Sequence, residues 1–218
     1  MIYAENILIC IAVPLVLTLL FLKGSARKLI FSFLVGMGAS LLSAYIGGFF
    51  EYLSGMSAED TSIFISPVIE EIMKLIPIVL YLLLFGMDSK EKMNRKSAEL
   101  LIVAVGCGAG FATFENCCYI LSSGSNDLSY ILIRGAAVGV MHLTTTVVLS
   151  MGLSFLQKYG VFSFSGVIGA LSLSMTFHGL YNLLASEQGI SSLVAYVLPT
   201  ISILMLYAVY SKTISEKD

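Results

Sequence analysis

A succession of about seven windows, each of about 20 mostly apolar residues, restricts this chain more than any other feature. They fall at roughly 3–22, 29–50, 62–85, 98–122, 130–156, 164–185 and 192–211. A helix of that length crosses the hydrocarbon core of a bilayer, and it pairs its own backbone groups where no water is present to do so. The composition agrees: 57% of the 218 residues are hydrophobic and 12% charged, with a mean hydropathy of +0.92, far too apolar for a soluble domain. The sequence therefore predicts an all-α, polytopic membrane helix bundle. Its joints are short, so residues 1–218 are expected to form a single transmembrane unit with no appended soluble module.

The first apolar run has neither a basic leader nor a small-residue cleavage site, so it is read as a span that stays. Lys23, Arg27 and Lys28, then Lys90, Lys92, Arg95 and Lys96, then Lys158, then Lys212 and Lys217 all fall on one side of the membrane. The opposite joints have Glu51, Glu59, Asp60, Asp127 and Glu187 and no basic residue. The positive-inside rule puts the N-terminus outside and the C-terminus in the cytoplasm. Tyr3, Tyr52, Tyr119, Tyr130, Tyr159 and Tyr210 lie near span ends, as an interfacial belt would. The net charge of -2 excludes the basic balance of a nucleic-acid binder. Cys10, Cys107, Cys117 and Cys118 form no CxxC pair and read as small core residues. Gly36 with Ser40, Gly106 with Gly110 and Gly135 with Gly139 are small-xxx-small pairs, read as close contacts within the bundle.

The two basic residues left over, Lys74 and Arg134, lie inside spans, with Glu70, Glu71, Glu115, Asn116, His142, His178 and Asn182. Each charge there costs on the order of 2.5 to 3.5 kcal/mol on insertion scales. At a rise of about 1.5 Å per residue, Glu70 and Glu71 fall roughly 12 Å below the outer end of their span, and Glu115 and His178 roughly 10 Å below theirs. His142 reaches a comparable depth if Arg134 marks the interface. Four helices thus bring polar residues to one layer in the outer half of the membrane, where they must face one another or a wet cavity. On an ideal helix Lys74 projects about 40° from Glu70 and about 60° from Glu71, so it neutralises one carboxylate and leaves the other free. Pro67 and Pro77 bracket the pair, and each removes a backbone bond.

Several carboxylates and two imidazoles in a semi-dry pocket suit hydrolysis. A buried glutamate takes a proton from water while His and Asn donors stabilise the oxyanion. In a second version a zinc ion sits on His142, His178 and one glutamate, Glu71, leaving a position for water; neither HExxH nor another established zinc spacing occurs. A different class of function, proton- or ion-coupled transport, uses the same groups as a relay. Against it stand the absence of repeated halves and the off-centre polar layer.

The segments "EEIMK" at 70–74, "GFATFENCCY" at 110–119, Arg134 and His142 with seven residues between them, and "FHGLYN" at 177–182 resemble, in order and spacing, motifs of the PrsW family of bacterial membrane proteases. That family is related to the CAAX prenyl protease and bacteriocin-processing group. The resemblance covers about residues 62–185, the expected catalytic core. It implies a multi-pass protease of the bacterial cell membrane that makes the first, extracytoplasmic cut in a single-pass substrate, an anti-sigma factor, and it implies a metallopeptidase classification. By position, Glu70 and Glu71 would supply the base and Lys74 the counter-charge. Glu115 stands where the CAAX group has a histidine. His142 would bind water, metal or oxyanion, and His178 with Asn182 matches the last motif; Arg134 and Asn116 support. The CAAX group spaces its basic residue one position further along than Lys74, and PrsW proteins can have Asp where this chain has Asn182.

Overall fold

The computed structural model describes residues 4–85, 93–123, 127–159, 164–187 and 189–215, and among them there is no strand. The helices are α1 (Ala4–Thr18), α2 (Gly24–Ser54), α3 (Ala58–Asp60), α4 (Ser66–Phe85), α5 (Met93–Ser123), α6 (Leu128–Ile133), α7 (Gly139–Tyr159), α8 (Phe164–Ser186) and α9 (Ile190–Ser215). Two π-turns, Thr61–Ile65 and Arg134–Val138, run without a break between α3 and α4 and between α6 and α7. Lys90, Lys92, Lys217 and Tyr3 lie outside the described residues, as do the side chains of Cys10, Arg95, Lys96, Lys158, Tyr159, Tyr210 and Lys212.

Among the described residues, five stretches are long and apolar enough to cross a membrane: Gly24–Ser54, Ser97–Ser122, Leu128–Phe155, Phe164–Ser186 and Ile190–Val209. The third passes straight through a π-turn. Helix α4 has 20 residues, apolar but for Glu70, Glu71 and Lys74, whereas α1 is shorter at 15. Large apolar side chains such as Leu173, Val197 and Leu204 are exposed, which is the surface a helix shows to lipid. The protein is a multi-pass membrane protein.

Helix α5 lies at the centre, packed on α2, α4 and α7. Its approach to α2 needs glycine: a Cβ on Gly36 would overlap the backbone of Cys107, and one on Gly110 that of Phe33. The small-xxx-small pattern of α2 and α5 is thus used inside the bundle, where short side chains let backbones touch. Gly135 and Gly139 differ, since a Cβ on either meets nothing within 4 Å. Cys107 is fully buried and, like Cys117 and Cys118, free, as expected of core cysteines.

Two environments are stacked along these helices. At one end Ile78, Leu82, Leu100, Ala104, Leu149 and Leu153 from α4, α5 and α7 form a dry cluster. Further along, Glu71 and Lys74 on α4, His142 on α7 and His178 on α8 are buried.

Candidate active site

Helices α4, α5, α7 and α8 each contribute to one connected chain of polar contacts. Lys74 Nζ lies 2.7 Å from Glu71 Oε1 and 2.7 Å from His142 Nδ1. His178 Nδ1 lies 2.8 Å from the same oxygen of Glu71. On the far side of the imidazole, His142 Nε2 is 2.6 Å from Glu115 Oε2, off the line that would make it a hydrogen bond. Arg134 Nη2 donates to Glu115 Oε1 at 3.2 Å, and the guanidinium lies 4.0 Å over the Tyr119 ring. Phe111 packs on both Lys74, 4.6 Å from its ring centroid, and His142. The two imidazoles meet edge to face at 5.1 Å.

Glu71 and Lys74 are wholly buried, so their pairing is a condition of the fold: either charge alone at that depth would be very costly. Lys74 neutralises Glu71. Glu70 is the other case. Its nearest basic partner is His178 Nε2 at 3.8 Å, its Oε2 is buried without a hydrogen bond, and its side chain lines a cavity of about 300 Å³. Glu115, Arg134 and His178 line the same cavity. Three carboxylates thus face two basic side chains, Lys74 and Arg134, and Glu70 is the one with neither within ion-pair distance.

Both asparagines serve the backbone. In the first π-turn Ser66 N–H reaches back to Thr61 O. The carbonyl of Ser62 would next look to the nitrogen of residue 67, which is proline and has no hydrogen. Asn182 Nδ2 supplies the missing bond at 2.7 Å. In the second π-turn Asn116 Nδ2 donates to Arg134 O at 3.0 Å. A π-turn inserts an extra residue and re-aims the helix beyond it, so these bonds fix the register of Glu70 and Glu71 on one helix and of His142 on the other. The oxyanion donor expected of Asn182 has, in this arrangement, a carbonyl of its own to hold.

Ligand-type atoms of Glu70, His142 and His178 lie within 4.8 Å of one another. The expected metal set named Glu71 in place of Glu70; Glu71 Oε1 is taken up by Lys74 and His178. Two imidazoles and a carboxylate are the donors of a zinc site with an open position. Glu70 Oε2 is buried without a hydrogen bond and so has capacity left for a cation, whereas His142 Nε2 faces Glu115 Oε2 at 2.6 Å and would have to turn from it to a metal. His178 is held as a ligand would be, Nδ1 toward a carboxylate and Nε2 toward Glu70. His142 is turned the other way. Lys74 occupies Nδ1; with Lys74 donating there, the ring proton would be on Nε2, and a metal bound at Nε2 would displace it.

A family model for "PrsW family intramembrane metalloprotease" matches residues 24–210. The chain belongs to the PrsW family. The family is one of intramembrane metalloproteases, and the match takes in all four of the sequence motifs. No curated protein and no solved structure matches the chain. Within this PrsW protein the structure brings together Glu70, Glu71, Glu115, His142 and His178 with Lys74 and Arg134. Asn116 and Asn182 stand one step back, on carbonyls. Among the cavity residues missed by sequence reasoning is Tyr181, inside "FHGLYN", three residues from His178 and so on the same helix face.

Proposed function

We propose that this protein is an endopeptidase in which Glu70 activates the attacking water and Glu71, Lys74, Glu115, His142 and His178 form the catalytic frame. The observation that carries the proposal is the contrast within the glutamate pair. Each glutamate has an Oε2 buried without a hydrogen bond, but Glu71 Oε1 is spent on Lys74 and His178 and Glu71 does not line the cavity, whereas Glu70 lines it with neither Lys74 nor Arg134 paired to it. Glu70 takes a proton from water, and the hydroxide attacks the carbonyl carbon of the scissile peptide bond. When the tetrahedral intermediate collapses, the C–N bond breaks and the proton passes from Glu70 to the leaving nitrogen. Lys74, tied to both Glu71 and His142, holds two helices in register around that water. If zinc were bound, Glu70, His142 and His178 would hold it, Glu70 then serving as ligand instead of base, and the ion would supply a Lewis acid and a more acidic water.

The substrate follows from the family resemblance: a single-pass membrane protein, an anti-sigma factor, cut on its extracytoplasmic side in a bacterial cell membrane. Seven spans, with α1 and α4 completing the five apolar ones and the N-terminus outside, would open the cavity toward that side. Transport is disfavoured because the dry cluster around Ile78 and Leu149 closes the bundle beyond Lys74.

Glu70→Gln is expected to abolish cleavage of a membrane-tethered reporter while the protein expresses and melts as wild type. Full activity in Glu70→Gln would refute the assignment. Elemental analysis of active protein, with cleavage measured before and after chelation, separates the versions: activity in metal-free protein leaves Glu70 as the whole apparatus.

A further inference from the structure

Several donors in and around the cavity are committed. The amide nitrogens of Asn116 and Asn182 hold π-turn carbonyls, Lys74 holds Glu71 and His142, and His178 Nδ1 holds Glu71. Arg134 turns Nη2 to Glu115 and its face to Tyr119, and its Nε, like the Tyr181 hydroxyl, is buried without a partner; the guanidinium is tied to a carboxylate, whereas the Tyr181 hydroxyl is tied to nothing. Hydrolysis still needs a donor for the oxygen that becomes negative in the transition state.

Tyr181 meets that need. It lines the cavity and is 3% exposed, and its hydroxyl is buried with no hydrogen-bond partner. The ring is a core residue, packed with Ala137, Val138, Met141 and Ala195. Phenylalanine would serve that packing equally well without the penalty of an orphaned hydroxyl, so the oxygen calls for a partner that arrives with the substrate. Tyr181 follows His178 by three residues on α8, on the same face and roughly 4.5 Å along the axis, which sets the donor beside the imidazole that faces Glu70. We infer that the Tyr181 hydroxyl is the oxyanion donor of this site, donating to the carbonyl oxygen of the scissile peptide bond as water adds to its carbon. The inference rests on the endopeptidase reading above.

The test is Tyr181→Phe in the full chain, reconstituted in liposomes with a tethered single-pass reporter. Loss of a transition-state donor predicts a fall in kcat of roughly 10² to 10³, with KM within about twofold of wild type and a melting midpoint no lower. An unchanged kcat overturns the inference. So does a loss carried by KM, which would make Tyr181 a ground-state contact, or a loss accompanied by a lower melting midpoint, which would make it a packing residue. Failure of the wild type itself to cleave any tethered reporter overturns the endopeptidase reading, and this inference with it; wild-type cleavage with Tyr181→Phe at full kcat overturns only this one.

Discussion

Helix α4 passes through two environments of opposite chemistry. From Ser66 to Lys74 it faces α7 and α8 with charges, and Glu71 and Lys74, besides pairing with each other, are each held by a histidine far away in sequence. From Leu75 onward it faces α5 and α7 with Ile78 and Leu82 in the dry cluster. Polar contacts of the first kind are all-or-none, because removing one partner strands the other at depth. Apolar contacts of the second kind are graded, because a lost methyl leaves only a void. One half of α4 therefore specifies an arrangement, and the other half stabilises it.

The sharpest way to break that comparison is Glu71→Ala. It leaves the Lys74 ammonium buried beside His142 and is expected to cost about 3 to 5 kcal/mol and all cleavage, read by thermal unfolding in detergent and by the reporter. Replacing both partners, Glu71→Leu with Lys74→Met, should restore most of the stability and none of the activity, since a buried ion pair is exchanged at little cost for an apolar pair. Stability that stays low in the double variant would mean that the ion pair itself holds the helices together.

Leu149→Ala, in the dry cluster and fully buried, should cost about 2 to 5 kcal/mol while the protein that remains folded keeps its kcat. A kcat that falls with it would show that the two halves are not separable. Asn182→Ala removes the partner of Ser62 O, and unfolding measurements should show a loss of about 1 to 3 kcal/mol. Its activity should fall further than that of Leu149→Ala, because the bond lies at the π-turn that aims Glu70. The smallest effect is expected from Leu84→Ala, on the exposed face of α4, at about 0.5 kcal/mol or less, with cleavage unchanged.

Much of this was legible in the sequence because it depends on local properties. Five of the expected spans reappear as apolar helices within a few residues of where the hydropathy placed them, and α4 reappears with its three charges inside. The polar layer was legible too, since ionisable residues cannot face lipid and rise per residue fixes their depth. The π-turns were not. Pro67 announces a missing bond, but whether the chain kinks, or widens and borrows a donor from Asn182, depends on an amide 120 residues away.

By itself, then, the sequence determined that the chain crosses a membrane as helices and that nine ionisable or amide groups must meet inside it, because the bilayer penalises every alternative. Only the tertiary structure decided who pairs with whom. Along α4 the helix geometry leaves Lys74 between Glu70 and Glu71 with no strong preference. His142 and His178, arriving from helices 68 and 107 residues further along, settle it: they place Lys74 on Glu71 and leave Glu70 free. A charge in a low-dielectric interior is fixed by its nearest partners in space, and local sequence does not name them.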